Sequence, residues 1–309
     1  MTVKAWPVAG APVSFGVDEI MVDDAWMPGP VELLDWMVEI GYKGTELGPP
    51  GYLGDADELH ERLSTRGLEL IGAFLPQHFS RDEKTAEDRA WLRDTLTLIR
   101  AGAPEGSRPF AILADGFDEP ERVAFSGRIQ DHREAWLPAD RFESLIANVH
   151  RAAELCRNAG FEVLLHPHAG TYIETADEIA RVIERIDPSL LGLVLDTGHL
   201  RYGGTDPVRA VTDYRELIRH VHIKDCVMGV IGEADAAGEG LKEILSRGVF
   251  PPLGQGDVDI PGVLEALRGI GYAGWLVIEQ DQSLGPNDTR ESVVAGQHRN
   301  RQYLRELGV

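Results

Sequence analysis

The chain has 309 residues, of which 34 are Gly and 18 are Pro, and 43% are hydrophobic. Its 51 acidic and 30 basic side chains give a formal net charge of -21, which argues against nucleic-acid binding because such binding needs clustered Lys and Arg. Two cysteines, Cys156 and Cys226, exclude a disulfide scaffold and favour a reducing, cytoplasmic location. We recognise no secretory signal and no membrane-spanning run, so we expect no membrane partner and a small, neutral substrate.

A helical stretch, a Gly and a short apolar run recur in this order along the chain, as at Ile40-Gly41-Tyr42 and Ile270-Gly271-Tyr272. Gly just past a helix provides the left-handed C-cap, and the apolar run that follows is typical of a strand. The pattern predicts strands near 12–17, 43–47, 68–74, 109–114, 161–166, 191–196, 219–224 and 274–279. It predicts helices near 30–40, 55–66, 84–102, 139–159, 175–186, 206–217, 260–270 and 288–306.

Eight strands alternating with eight helices predict an α/β fold, a (β/α)8 TIM barrel. An apolar strand such as 191–195 is typical of a parallel sheet that is buried on both faces. A doubly wound open sheet is the alternative, but no Gly-x-Gly-x-x-Gly motif follows the first strand. We expect a single domain over residues 1–309, with long loops at about 115–138 and 226–259 that line the active site.

Side chains that can bind metal end four consecutive predicted strands. They are His166 and His168 after the fifth strand, Asp196 and His199 after the sixth, His222 in the seventh, and Glu279 at the end of the eighth. Barrel enzymes keep their chemistry at these strand ends. A mixed set of imidazoles and carboxylates predicts a divalent metal ion, with Mn or Co favoured and Zn, Fe or Mg as alternatives.

Alternation in the seventh strand distinguishes its two histidines. His220, His222 and Lys224 share one face of the strand, because side chains alternate between the two faces. His222 is nearer the carboxyl end and is favoured as the metal ligand, with Lys224 just above it. We expect His220 to lie deeper as a packed, hydrogen-bonded residue.

The motifs at the strand ends resemble those of the sugar isomerase/epimerase superfamily of xylose-isomerase-like TIM barrels, and within it the inosose dehydratase branch. The resemblance spans the chain, and residues 45–49 (Thr-Glu-Leu-Gly-Pro) contribute to it. The strings that carry it are His166-Pro-His-Ala-Gly-Thr-Tyr-Ile-Glu-Thr175, Leu195-Asp-Thr-Gly-His-Leu200, His220-Val-His-Ile-Lys-Asp225, Gly248-Val-Phe-Pro-Pro-Leu-Gly-Gln-Gly-Asp-Val-Asp259 and Val277-Ile-Glu279.

The resemblance implies a divalent ion held by Asp196, His222 and Glu279. The superfamily usually adds a Glu after the fifth strand, but this chain has His166 at that position. Either His166 is the fourth ligand or Glu174 reaches back from the next loop. Glu174 also has a simpler interpretation, as a carboxylate stabilised near a helix N-terminus.

Isomerases and epimerases of the superfamily resemble enzymes that use two carboxylate bases, one of them the Glu after the fifth strand. Because His166 replaces that Glu here, we favour elimination of water over isomerisation. We therefore predict a metal-dependent dehydratase, a lyase that acts next to the ketone of a cyclic polyol such as scyllo-inosose. His166 or His168 would move the proton, assisted by Lys224 and Glu279. Side chains expected to bind substrate hydroxyls or to orient ligands are Glu46, His199 and Asp225.

Three other functions are open to this sequence. The first is a sugar isomerase or epimerase of the same superfamily, with elimination on 3-keto-glycosides as a related variant. The second is an abasic-site endonuclease, which the charge of -21 disfavours. The third is a sugar-binding protein without activity.

Residues with weaker predicted roles are His78 in or near the pocket, and Trp26, Trp136 and Phe250 as stacking platforms. The C-terminal helix can pack on the barrel or on a partner in a homo-oligomer.

Overall fold

A computed structural model describes residues 6–17, 27–282, 284 and 288–309. Within these residues, eight parallel strands pair in chain order and close into a barrel. The closure rests on β1 and β8, in which Val8 pairs with Leu276 and Gly10 pairs with Ile278. The predicted TIM-barrel fold is confirmed. The strands are β1 Val8–Gly10, β2 Gly44–Glu46, β3 Glu69–Gln77, β4 Phe110–Asp115, β5 Glu162–Leu165, β6 Gly192–Asp196, β7 Ile218–Ile223 and β8 Leu276–Ile278.

Helices surround the barrel, and some of them begin with a side-chain cap. At the start of α6, Thr175 and Glu178 form the reciprocal hydrogen bonds of a capping box, which fixes the first turn. No helix within the described ranges is long and apolar enough to cross a membrane. The helices are α1 Pro30–Ile40, α2 Ala56–Ser64, α3 Thr85–Gly102, α4 Pro120–Ala124, α5 Ala139–Asn158, α6 Ala176–Ile183, α7 Thr197–Tyr202, α8 Pro207–Asp213, α9 Met228–Ala237, α10 Leu241–Ser246, α11 Ile260–Gly269 and α12 Arg290–Glu306.

The first strand lies earlier in the chain than predicted. Residues 12–17 are predicted as a strand, but Pro12–Phe15 form a 3-10 helix and β1 precedes it. Pro12 has no N–H for a strand ladder and its fixed φ suits the first turn of a helix. Gly16 then ends the turn with φ 78°, a left-handed conformation that glycine adopts readily.

The alternation is also less regular than predicted, because the two long loops contain helices of their own. The loop after β4 holds α4, and the loop after β7 holds α9 and α10. A further short helix, α7, follows β6 directly, with Asp196 as its N-cap. These short helices are packed segments of the active-site face.

Side chains inside the barrel change from apolar to polar along the strands. Small apolar clusters fill the interior, one around Ile71 and Val277 and another around Leu164 and Val194. The outward residues of the same strands pack against the helices in one large core. The C-terminal helix α12 belongs to that core, since Val293 and Leu304 are both buried within the chain.

Candidate active site

The candidate active site is a pocket at the carboxyl ends of the strands. It holds about 780 Å³ of empty space, counted out to its open mouth, which is a usual size for a small-molecule site. Both long loops contribute walls, with Phe117 from the loop after β4 and Leu241 and Leu245 from α10. Polar lining residues are Glu46, His166, His168, His199, Lys224, Glu279 and Asp281.

Four side chains converge at this pocket, one from each of the last four strand ends, and two of them (His166 and Glu279) belong to its lining. His166, Asp196, His222 and Glu279 each offer a donor atom, and these atoms lie within 4.8 Å of one another. Nδ1 of His222 is 2.8 Å from Oε2 of Glu279 and 3.4 Å from Oδ2 of Asp196. Nε2 of His166 is 3.3 Å from the same Nδ1. All four residues are buried.

The donor set fits a divalent cation. Oδ1 of Asp196 caps α7 by accepting hydrogen bonds from two backbone N–H groups. Its buried Oδ2 accepts no hydrogen bond from the described residues and has ion-pair contacts with His222 at 3.4 Å and Lys224 at 3.3 Å. Nδ1 of His166 donates to the carbonyl oxygen of Pro167 at 2.7 Å, which leaves the Nε2 lone pair directed at the cluster. Two imidazole nitrogens and two carboxylates suit Mn, Co, Zn or Fe.

Glu46 hydrogen-bonds to His222, a member of the four-residue cluster, and to His220 in the same strand. Its Oε1 accepts hydrogen bonds from Nε2 of His222 at 2.9 Å and from Nε2 of His220 at 2.8 Å. A carboxylate on the far nitrogen of a ligating His fixes the ring and raises its basicity. His220 is fully buried and lies against Phe110. Glu46 therefore orients the histidines of β7.

Charges within the cluster shift the pKa values of its members. Burial alone would raise the pKa of Glu46, but His222 and His220 hold it well below its usual range. Burial alone would lower the pKa of His222, but Glu279 and Glu46 raise it well above its usual value. Without a metal ion, a protonated His222 therefore balances part of the negative charge of Glu279 and Glu46. Metal binding is expected to displace that proton.

A second group of ionisable side chains lies beside the first. The ammonium group of Lys224 is 2.8 Å from Nε2 of His199, 2.9 Å from Oδ1 of Asp281 and 3.0 Å from Oε2 of Glu279. Burial alone would lower the pKa of Lys224, but the carboxylates around it raise the pKa well above its usual value. Lys224 is thus a buried, fixed cation. Burial lowers the pKa of His168 to about 3, and the rings of His168 and His199 lie 3.8 Å apart.

Residues 34–299 match the sequence model described as Xylose isomerase-like TIM barrel. The chain belongs to this family. An inosose dehydratase from Geobacillus kaustophilus (strain HTA426) is 32% identical over 289 residues, which cover 91% of this chain and 89% of that protein.

Two solved structures illustrate the shared fold. An L-ribulose 3-epimerase has a TM-score of 0.68 and 19% identity, and the match covers 98% of this chain and 94% of that one. The IOLI protein with a bound zinc atom has a TM-score of 0.66 and 14% identity, and the match covers 97% of each chain. At these identities the likeness shows the fold alone.

Glu174 lies outside the four-residue cluster of this xylose isomerase-like barrel. Its buried carboxylate accepts hydrogen bonds from the hydroxyl of Ser126 at 2.8 Å and from the backbone N–H groups of Gly127 and Gly170. These bonds tie the loop after β4 to the loop after β5. The donor group that contains Asp196, His222 and Glu279 includes His166 and not Glu174, which favours His166 over Glu174 as the predicted fourth ligand.

Asp225 is also used elsewhere and does not line the pocket of the described residues. Its two carboxylate oxygens accept hydrogen bonds from four backbone N–H groups, at distances of 2.9 to 3.1 Å. The donors are Cys226, Gly254, Gly256 and Val258. Asp225 therefore shapes the Gly-rich loop that lies between α10 and α11 (residues 247–259).

Other aromatic and histidine predictions have mixed outcomes. Phe250 is buried and its ring centroid is 5.0 Å from the ammonium group of Lys224, so it packs behind the pocket. Trp136 is 48% exposed and lines a separate groove. His78 is bonded to Asp88 away from the pocket, and Trp26 lies outside the described residues.

Sequence reasoning missed Asp281 and Phe74, both of which line the pocket. Asp281 lies three residues beyond the end of β8, and burial raises its pKa to about 7 although Lys224 lowers it. The signal for Asp281 in the sequence is its position, as a carboxylate two residues after Glu279. Phe74 lies within β3 and its ring contacts the rings of His166 and His168.

Proposed function

We propose that this protein is a divalent-metal-dependent dehydratase, a lyase that removes water next to the ketone of a cyclic polyol such as scyllo-inosose. The observation that carries the proposal is the donor set, in which the imidazole of His166 takes the place of a second carboxylate base. The 32% identical relative is named inosose dehydratase, which supports the same reaction.

We assign the metal ion to His166, Asp196, His222 and Glu279. An ion held there would polarise the ketone oxygen and stabilise the enolate formed from it. We favour Mn or Co, because the set mixes imidazole with carboxylate donors. Glu46 keeps the ring of His222 turned toward the ion by accepting its Nε2–H.

We assign the proton transfer to His168. Its Nδ1 donates to the carbonyl oxygen of Ala169 at 2.9 Å, so Nε2 carries the lone pair. His168 takes the proton from the carbon next to the ketone. It then returns that proton to the hydroxyl group leaving the neighbouring carbon, so a C=C bond and one water form and the imidazole is regenerated.

Lys224 supplies a fixed positive charge beside the reacting carbon. Its ammonium group is buried and lines the same pocket as His168. A fixed cation in a site of low dielectric constant stabilises the negative charge that develops on the enolate. His199 and Asp281 hold the ammonium group in place.

Turnover of scyllo-inosose tests the proposal. We expect Mn- or Co-loaded protein to produce a dione that absorbs in the ultraviolet. We expect Glu279→Gln or a chelator to lower the rate more than about 100-fold, because each removes a metal ligand or the metal itself. Glu216→Gln is the matched control, since Glu216 is 84% exposed and pairs with Arg215 on the surface.

The same assay separates the competing activities. Deuterium uptake from solvent without a dione would contradict the dehydratase proposal and indicate an epimerase. Full dione formation by Glu279→Gln would contradict the assigned metal site.

The apolar walls favour 3-keto-glycosides as a second substrate class. Phe117, Leu241 and Leu245, from the two long loops, line the same pocket as the polar side chains at the strand ends. A ring buried in the polar part would leave an apolar aglycone against these walls, with the same elimination chemistry. A higher kcat/KM for aryl 3-keto-glucosides than for scyllo-inosose would establish this class, and the reverse order would exclude it.

A further inference from the structure

A second set of potential metal ligands lies next to the assigned centre. His168, His199 and Asp281 each offer one donor atom, and these atoms lie within 4.8 Å of one another. They come from the loop after β5, from α7 and from the loop after β8. Two imidazoles and a carboxylate at this spacing are a common ligand set for divalent metals.

The ammonium group of Lys224 lies between the two sets. It contacts Nε2 of His199 and Oδ1 of Asp281 in the second set, at 2.8 and 2.9 Å. It contacts Oε2 of Glu279 and Oδ2 of Asp196 in the first set, at 3.0 and 3.3 Å. The ammonium group of Lys224 is thus surrounded by potential metal-ligand atoms from both sets. A second metal ion at this position would have the same neighbours.

Packing fixes the lysine in this position. A Cβ atom at residue 198 would lie 2.5 Å from Cγ of Lys224, so only Gly198 leaves room for the aliphatic chain. The hydroxyl of Thr197 accepts a hydrogen bond from the backbone N–H of Lys224 at 2.9 Å. The ring of Phe250 lies 5.0 Å from the ammonium group, within range of a cation–π contact.

We propose that the ammonium group of Lys224 replaces a second divalent ion, so that His168, His199 and Asp281 form a latent metal site that the lysine keeps closed. The inference rests on the proposed function for the first ion. Contacts support it, since carboxylate oxygens of Asp196, Glu279 and Asp281 lie 2.9 to 3.3 Å from the ammonium group, which supplies the positive charge that a second ion would bring. A second ion in addition to Lys224 would place two cations among the same donors of His199 and Asp281.

Metal stoichiometry tests the inference. The wild type and Lys224→Ala are dialysed against Co(II), and the bound metal per folded chain is measured by elemental analysis. We expect Lys224→Ala to bind one ion more than the wild type, because its donors are released and its cation is lost. Lys224→Arg keeps a cation and should show no gain. Lys224→Ala/Asp281→Asn removes one donor and should lose the gain.

The readout is the difference between variant and wild type, so it does not depend on catalysis. No gain in Lys224→Ala would overturn the inference, and so would a gain that persists in the double variant. Lys224→Ser provides the same comparison if Lys224→Ala does not fold. A wild type that binds no metal would contradict the proposed function but not the latent site. The latent site would still be tested by whether Lys224→Ala binds one ion more than the wild type.

Discussion

The carboxylate of Glu46 contacts no ion in the proposed site, yet it holds the imidazole of His222 at 2.9 Å. Glu46→Gln keeps a carbonyl oxygen for that hydrogen bond but removes the negative charge. We expect about 10- to 100-fold weaker binding of Co(II), because the ligand nitrogen of His222 becomes less basic. Isothermal titration calorimetry measures the change.

Glu69→Gln is the matched control for this substitution. Glu69 is exposed at the start of β3, at the opposite end of the barrel strands. Its variant should bind Co(II) as the wild type does. Unchanged affinity in Glu46→Gln would mean that Glu46 only packs against the histidines.

Single residues differ in how far the sequence reveals their roles. Asp196 and Glu279 are predictable as site residues, because each ends a short apolar run that becomes a barrel strand. Glu174 and Asp225 are not, since the paths of their loops decide which backbone N–H groups their carboxylates meet. Asp281 follows no strand directly, so no periodic pattern indicates that it meets Lys224.

At the scale of elements, Asp225 organises the Gly-rich loop between α10 and α11. Its carboxylate accepts four backbone hydrogen bonds from residues 226–258. We expect Asp225→Ala to lower the free energy of unfolding by about 3 kcal/mol, because buried N–H groups lose a charged acceptor. Urea unfolding measures the change, and hydrogen exchange at Gly254 and Gly256 should accelerate.

Asp213→Ala serves as the reference for this loss. Asp213 is 48% exposed and pairs with Arg209 on the surface of the protein, so its removal should change the free energy by less than about 0.5 kcal/mol. Equal effects of the two substitutions would show that the loop does not depend on Asp225.

Strands and helices differ in how well the sequence predicts them. Strands β3 to β6 and β8 are predictable, because each is a largely apolar run bounded by glycine or by polar residues. β2 (Gly-Thr-Glu) is indicated by the glycine that ends α1, and β7 by its alternation of apolar and polar residues. β1 is not, since the apolar residues 12–17 have the composition of a strand while Pro12 and Gly16 favour a turn. The helices inside the two long loops lack a clear start signal, and α4 has only five residues.

At the scale of the whole molecule, metal binding should stabilise the fold. The four proposed ligands follow or end β5 to β8, so one ion would join half of the barrel. We expect a concentration of Mn(II) at 100 times Kd to raise the free energy of unfolding by about 2.7 kcal/mol, because only the folded chain offers the complete donor set. Thermal unfolding with and without chelator measures the change.

Glu279→Gln supplies the comparison for this linkage. The variant lacks one donor, so its melting temperature should respond much less to Mn(II). An equal rise in the variant would indicate that Mn(II) stabilises the acidic surface of a chain with a net charge of -21 instead of a specific site.

The pairing of β1 with β8 has a consequence for biosynthesis. Until β8 leaves the ribosome, β1 has no partner on one side and the sheet keeps two open edges, which are prone to wrong pairing. Glu279 directly follows β8, so the strand that seals the barrel also delivers the last proposed ligand. A nascent chain therefore offers an incomplete set of donors, and metal loading has to wait until translation has passed the eighth strand.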